Sequence, residues 1–350
     1  MKVYSASEAI WPALVRTYEY LFRGFKSETF LKLAAVATLC EGFFVSFRFL
    51  VPNTFPFDPH ASAWKPFRLS PAFLPVTILG TVAIFLVGVY FFYLVTRLRF
   101  GFFHSLVHQT RQIRSSAKLY YVEADHFFTA SMLVWLTFLV VAVLALLLFI
   151  VTAYGVSARP AAEGRFDPGR FFFLFLPCFA VALVLILAAF VAQVVLNDFV
   201  LPHMAIEGAP FRKAWEAVRV RIAANREAFL YFFILRLAIP LIAGLVLGLA
   251  AWAAGQLVFG ALGISAAGFT AMLDGTTGLR AYLLIAVQFL FLLLGLCAGL
   301  VIAVSFGGPL GVFMRSYALF FYGGHYKALG NLLNPSAPPR ATAESETRNS

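Results

Sequence analysis

Six long runs of apolar residues constrain the fold of this chain more than any other feature of its sequence. They cover roughly residues 29–51, 71–96, 127–154, 171–197, 229–254 and 281–306. About 20 apolar residues in a helix cross the roughly 30 Å of hydrocarbon in a bilayer, so each run is long enough to span it. The unbroken apolar stretch from Leu139 to Val151 lacks the alternation of a barrel strand. The sequence therefore predicts an all-α integral membrane protein with about six transmembrane helices.

The composition leaves little room for a soluble domain. Apolar residues make up 61% of the 350 residues, charged residues make up 12%, and the mean hydropathy is +0.86. Soluble domains carry about 25% charged residues. No linker separates two compositional regimes, so we expect one polytopic membrane domain over residues 1–330. Residues 331–350 are rich in Pro, Ala, Ser and Thr and are expected to form a disordered polar tail.

Basic residues predict the orientation of the spans. Of the 27 Lys and Arg residues, 18 lie in segments 1–28, 97–126, 198–228 and 307–350, and 6 lie in the connections on the other side. Loops rich in Lys and Arg stay in the cytoplasm. Both termini are therefore expected in the cytoplasm, which agrees with an even number of spans. The net charge of +11 is expected to serve topology and anionic lipid rather than nucleic acid.

A basic amphipathic stretch precedes a Phe-rich start of a span three times. Its apolar residues fall at helical spacing in each case: Trp11, Leu14, Val15, Tyr18, Leu21 and Phe22; Phe102, Phe103, Leu106, Val107 and Ile113; Phe211, Trp215, Val218 and Ile222. Such helices lie in the membrane interface, with the apolar face in lipid and the basic face toward headgroups. The pattern suggests three repeats of an amphipathic helix followed by a transmembrane hairpin. The alternative is that three similar membrane entries select similar residues.

The arginines of these stretches are the candidate contacts for lipid headgroups. They are Arg97, Arg99, Arg111, Arg114, Arg219 and Arg221. The expected partners are membrane lipids, with other membrane proteins as a second class.

Ionisable residues within a span are costly and are therefore candidate functional residues. The candidate intramembrane polar cluster consists of Glu41, Arg48, Asn197, Asp198 and Arg236. Glu41 lies near the middle of the first run, with Arg48 seven residues on, and Asp198 is a plausible partner for Arg236. The cluster could gate a path or hold a headgroup, or it could be a structural ion pair between spans four and five.

Glycines mark three places where the helices are expected to end or to approach each other. Residues Gly255 to Arg280 are broken by glycine and predict a short interfacial or re-entrant helix. Gly307-Gly-Pro309 predicts the end of span six, followed by an interfacial helix from Val312 to Leu329 that carries Arg315. Gly244-xxx-Gly248 and Gly295-xxx-Gly299 allow close helix packing.

Motifs for catalysis, metals and cofactors are not found in the sequence. It contains no Walker loop, no GxSxG elbow and no paired carboxylates in a polar loop. His104 and His108 share a helix face, but without an HExxH context they are more simply two interfacial histidines. We therefore expect no cofactor and no bound metal, and an enzyme is the function class with the least support in the sequence.

Several stretches resemble a family of uncharacterised prokaryotic multi-pass membrane proteins. The resemblance also extends to the membrane domain found beside some glycerophosphodiester phosphodiesterases. It rests on the segments Tyr93 to Phe100, Asn197 to Met204, Lys213 to Tyr231, and Gly308 to Tyr317. It implies a six-span fold in the cytoplasmic (inner) membrane of a prokaryote, and it carries no catalytic residues over to this chain.

Three functional hypotheses remain at this point. The first is a membrane scaffold or accessory protein that contacts anionic lipid or partner proteins through its basic cytoplasmic face. The second is a carrier or permease for a small or lipidic solute, and the third is a membrane-embedded enzyme.

Overall fold

A computed structural model describes residues 4–41, 74–163, 168–273 and 279–333. Within these ranges the regular secondary structure is helical throughout, which confirms the predicted all-α class. The helices are α1 (Ile10–Leu21), α2 (Ser27–Glu41), α3 (Leu74–Val107), α4 (Ile113–Leu119), α5 (Tyr121–Glu163), α6 (Pro168–Val194), a π-helix (Val195–Val200), α7 (Leu201–Glu207), α8 (Phe211–Ala224), α9 (Arg226–Leu273), α10 (Leu279–His325) and α11 (Lys327–Leu333).

Five helical segments of the described ranges are long and apolar enough to cross a membrane. They are Pro75–Val107, Tyr121–Val151, Phe175–Glu207, Arg226–Phe269 and Ala286–His325. At most 17% of the apolar window in each is buried inside the protein, so most of this apolar surface needs lipid as its solvent. These segments correspond to five of the six predicted runs. The first run, 29–51, is described only as far as Glu41, which ends α2.

The helices fall into two compact units. The first unit contains the described residues up to Leu119 and from Glu227 onwards, and the second contains Tyr120–Arg226. In the first unit, α1, α2 and α11 pack against α10, and α4 packs against α3. In the second unit, α5 and α6 pack together, with the rings of Phe149 and Phe175 in edge contact. The pair is an antiparallel hairpin, and therefore the π-helix at the end of α6 lies near the start of α5.

The C-terminal part of α10 is the core of the first unit. The prediction that Gly307-Gly-Pro309 ends the sixth span is wrong, because α10 continues through these residues to His325. The predicted interfacial helix from Val312 to Leu329 is also wrong, because all residues from Leu310 to Gly323 are buried. The glycines serve close packing instead: a Cβ on Gly308 would lie 2.6 Å from the Cα of Ala34, and one on Gly311 would lie 2.9 Å from the carbonyl oxygen of Ala37.

Two further sequence predictions differ from the structure. The predicted break at Gly255 is absent, since α9 continues to Leu273 and its buried Phe259 ring lies against Gly295. At Gly244 and Gly248 an added Cβ would meet no described heavy atom within 4 Å, so the close approach predicted there is not formed by the described residues. In both segments a long helix contains glycine despite its low helix propensity. The reason is that in lipid the backbone must keep its continuous i to i−4 hydrogen bonds.

The second amphipathic stretch also differs from its prediction. Phe102, Phe103, Leu106 and Val107 belong to the last turns of α3 and are buried in the first unit, so they do not face lipid. Gly101 permits this burial, because a Cβ there would lie 3.0 Å from the carbonyl oxygen of Ile113. A short helix nevertheless precedes each of α2, α5 and α9 in chain order. The three-repeat interpretation therefore stays a prediction.

The contact between α2 and α10 yields a stability prediction. Replacing Gly308 with Ala places a methyl group against the backbone of Ala34 and should lower the free energy of unfolding by about 1–3 kcal/mol, the usual cost of overpacking. The matched control is Gly244→Ala, which meets open space and should leave stability equal or slightly higher. SDS-induced unfolding in mixed micelles, followed by circular dichroism, measures both. Equal stability of the two variants would contradict the close approach.

Candidate intramembrane polar site

A buried ion pair joins α2 to α9 in the first unit. Nη2 of Arg236 donates to Oε2 of Glu41 at 2.8 Å, although 195 positions separate the two residues. Their side chains are only 8% and 9% exposed. A charge-assisted hydrogen bond compensates part of the cost of removing both ions from water. The structure thus pairs two of the five residues of the predicted polar cluster.

A second arginine binds α2 at the residue before Glu41. Nε of Arg99, from α3, donates to the carbonyl oxygen of Cys40 at 3.1 Å. The charge on the guanidinium donor makes this hydrogen bond stronger than one between neutral groups. Arg99 therefore connects α3 to α2 beside the Glu41 pair, in a position that sequence reasoning had given to a lipid contact.

A third arginine, Arg315 of α10, completes the group that we call the arginine cluster: Arg99, Arg236 and Arg315. Arg315 is 2% exposed and is among the largest fully buried side chains. Its charge and that of Arg99 are close enough to the Cys40 thiol to interact with it electrostatically. Sequence reasoning placed Arg315 on an interfacial helix and so missed it as a site residue.

The buried phenol of Tyr317 lies near the arginine cluster. Its ring stacks on Phe232 of α9, with 5.2 Å between centroids, and it interacts electrostatically with Arg236. Its hydroxyl oxygen is buried without a hydrogen-bond partner among the described residues. Within the first unit the site therefore offers three guanidinium groups, one carboxylate and a phenol. Guanidinium groups bind carboxylates and phosphates through paired hydrogen bonds.

The other three residues of the predicted cluster are Asn197, Asp198 and Arg48. Asn197 and Asp198 belong to the second unit, where all six residues of the π-helix are buried. Pro202 follows four residues after Asp198, and its ring would clash with the Asp198 carbonyl in a regular helix, so the wider π-turn relieves that contact. Arg48 lies outside the described residues.

The second unit contains a chain of three polar side chains that sequence reasoning did not connect. Nη1 of Arg221 donates to Nε2 of the buried His203 at 3.2 Å, and Nδ1 of His203 lies 3.4 Å from Oε1 of Glu207. Because an arginine can only donate, Nε2 must accept and the ring proton lies on Nδ1. The i, i+4 spacing of His203 and Glu207 was the signal in the sequence that could have revealed the pair.

The candidate headgroup arginines divide into two groups. Arg97 lies over the ring of Tyr93, Arg111 donates to the backbone of Arg23 and Gly24, and Arg221 binds His203. Arg114 and Arg219 are exposed and form no ion pair or hydrogen bond with the described residues. Among these arginines, Arg114 and Arg219 therefore have guanidinium groups available to a lipid phosphate.

Helix α1 has a polar inner face that faces the rest of the first unit. Nη2 of Arg16 donates to the carbonyl oxygen of Leu333 at 3.5 Å, and its guanidinium lies 5.8 Å from the centre of the Phe320 ring. Burial lowers the pKa of Arg16, while Glu19 raises it. Tyr20 shares a hydrogen bond of 2.5 Å with Ser105, and burial raises the pKa of its phenol to about 12. These contacts fix which face of α1 is turned outward.

His104 and His108 lie side by side, with 4.4 Å between ring centroids. The described residues contain no group of three or more His, Cys, Asp or Glu side chains that could hold a metal ion. The absence of a metal and of a cofactor stays a prediction.

The buried ion pair yields a second stability prediction. Glu41→Leu leaves Arg236 without its carboxylate and should lower the free energy of unfolding by about 3–5 kcal/mol. The double variant Glu41→Leu/Arg236→Met should recover most of this loss, because it removes both charges. Glu28→Leu, on the same helix but in an exposed pair with Lys32, is the control and should change stability little. If Glu41→Leu lowers the free energy of unfolding in SDS no more than Glu28→Leu does, the Glu41–Arg236 pair does not stabilise the contact between α2 and α9.

Comparison with known proteins assigns the chain to a family. No curated protein and no solved structure matches it. The likeness to the membrane domain beside glycerophosphodiester phosphodiesterases therefore receives no support. Residues 4–332, which cover almost the whole chain, match a family of unknown function, DUF7544. The chain is a multi-pass membrane protein of undetermined activity and belongs to this family.

Proposed function

We propose that the protein is a membrane scaffold or accessory protein that holds anionic lipid at its basic cytoplasmic face. The observation that carries the proposal is the orientation of α1. Its outer face exposes Trp11 by 73% and Tyr18 by 66%, while Ala13 and Tyr20 are buried on the opposite face. An amphipathic helix with aromatic residues turned outward is suited to the boundary between headgroups and acyl chains. Helix α1 would therefore lie in the interface, attached to the first unit.

The second unit offers a comparable surface on α8. Arg212, Lys213 and Arg219 are exposed, and Trp215 on the same helix is partly exposed, whereas Ala214 and Val218 are buried. Each Lys or Arg near an anionic membrane surface contributes about 1 kcal/mol to binding. A helix with this distribution would hold headgroups on its basic side while its small residues attach it to the unit. The positive-inside rule supports a cytoplasmic position for this helix.

The two available arginines allow a test of lipid contact. The double variant Arg114→Glu/Arg219→Glu should lose most of its preference for phosphatidylglycerol over phosphatidylcholine, since each reversal removes about 1 kcal/mol of attraction and adds repulsion. The full chain is reconstituted in mixed vesicles, and the motionally restricted fraction of spin-labelled lipid gives the preference.

The control for this test exchanges the charges of an exposed pair. Glu28→Lys/Lys32→Glu keeps the net charge and should keep the preference for phosphatidylglycerol. A double variant of Arg114 and Arg219 that retains the full preference would contradict the proposed lipid contact.

A carrier for a small or lipidic solute is the second candidate function, and the arginine cluster favours it. Charged groups within membrane helices are characteristic of ion and substrate paths. Here the carboxylate of Glu41 pairs with Arg236 of α9. Arg99 of α3 donates to the neighbouring Cys40 carbonyl, and the charge of Arg315 on α10 acts on Cys40. Such a group could exchange the Glu41–Arg236 pair for a pair with an anionic solute.

The carrier function predicts a proton or solute flux that depends on Glu41. In vesicles loaded with a pH-sensitive dye, Glu41→Gln should lower the flux at least tenfold, because the amide cannot carry the charge of the carboxylate. Glu28→Gln makes the same substitution at an exposed position of α2 and should leave the flux unchanged. The same flux in both variants and in the unmodified protein would argue against a carrier.

A further inference from the structure

The second unit contains a groove that could bind a small ligand and that the proposed function does not involve. It is formed by one face of α5 and the start of α8, and its volume is about 620 Å³. That volume is within the roughly 300–1,000 Å³ of small-ligand sites. All of its lining residues belong to the second unit.

The polarity of the groove changes along its length. His126 lies at one end, and Ala130, Leu133 and Leu136 follow along the same face of α5. Because a helix rises 1.5 Å per residue, the ten steps from His126 to Leu136 cover about 15 Å. This is half of the roughly 30 Å hydrocarbon core, or the depth of one leaflet. The apolar wall therefore matches one acyl chain rather than a helix that crosses both leaflets.

The mouth of the groove is basic. Phe211 and Arg212 lie at the start of α8, and the first turn of α8 contains no acidic residue. Nε of Arg212 is 3.3 Å from Oε1 of Glu216, and both side chains are mostly exposed, so this pair is weak. The guanidinium group retains donors that can bind a phosphate. No carboxylate is among the described residues that line the groove.

We propose that this groove binds a single phospholipid with an anionic headgroup. One acyl chain lies along Leu133 and Leu136, and the phosphate is bound by Arg212, with the His126 ring beside it. The antiparallel hairpin of α5 and α6 brings the start of α8 to the His126 end of α5, so the basic and apolar parts are ordered as in a lipid. The inference rests on the lipid binding of the proposed function and shares Arg212 with it, but it concerns one molecule bound in a groove.

The test fills the groove and counts bound lipid. The full chain is delipidated in mild detergent, titrated with phosphatidylglycerol and examined by native mass spectrometry. The unmodified protein should retain one tightly bound lipid, and Ala130→Trp should weaken its binding at least tenfold, because an indole occupies the acyl-chain path. Ala142→Trp adds the same side chain to an exposed position of α5 outside the groove and should bind as the unmodified protein does.

A second variant examines the headgroup. Arg212→Gln should weaken phosphatidylglycerol binding about fivefold, the effect of one basic residue near an anionic surface. It should weaken phosphatidylcholine binding less, because the choline charge already offsets that lipid's phosphate. Equal binding by Ala130→Trp and Ala142→Trp would overturn the groove as the site. Equal affinity of the unmodified protein for the two lipids would overturn the anionic headgroup.

The two lipid proposals can fail separately. Arg114→Glu/Arg219→Glu changes neither the groove nor Arg212, so the single tight lipid should survive in that variant even where the general preference for phosphatidylglycerol is lost. If the tight lipid disappears in this double variant, the groove is not an independent site and the inference is overturned. Loss of the tight lipid in Ala130→Trp with an unchanged general preference supports the inference and leaves the proposed function in place.

Discussion

The close contact between α2 and α10 is the constraint on which the first unit depends. Gly308 and Gly311 bring the backbone of α10 against Ala34 and Ala37, at distances that a side chain would not permit. Lipid tails are as apolar as leucine, so helices in a membrane gain stability mainly from such close packing and from polar contacts. Because the two backbones touch at Ala37, the next turn of α2 places Cys40 and Glu41 in the interior of the unit.

The arginine cluster follows from this placement. The Cys40 residue and the Glu41 side chain are buried, so the Cys40 carbonyl and the Glu41 carboxylate need partners from the protein. Arg99 and Arg236 supply these hydrogen bonds, and Arg315 adds a third positive charge nearby. The same low dielectric that makes the site costly also strengthens every interaction within it. A site of this kind can stabilise the helix bundle and can also respond strongly to an anion that enters.

The sequence allowed the helical class and five membrane segments to be predicted, because length and hydropathy are local properties. The sequence-based predictions were wrong where one residue type can serve two structural roles. Gly307-Gly-Pro309 has the composition of a helix end in water, but in a membrane the surrounding hydrogen bonds keep α10 continuous and the glycines provide contact. Arg315 is a charged residue that follows an apolar run, so its place in the sequence suggested the membrane interface. Only the fold shows that it is buried. The pairing of Glu41 with Arg236 depends on a contact over 195 positions, which no local pattern encodes.

The basic residues of this chain therefore have two kinds of environment that a count of charges cannot separate. Orientation rules count every Lys and Arg near the end of a span, because they act on segments as they insert. After folding, Arg99 and Arg315 contact protein groups, whereas Arg114, Arg212 and Arg219 keep their guanidinium groups at the surface. Only these surface arginines can bind lipid at a low cost in free energy. Moving them to a headgroup does not leave a buried polar group without its hydrogen-bond partner. Headgroup binding by arginine is thus expected on α4 and α8, while the buried arginines contribute to the packing of the helices.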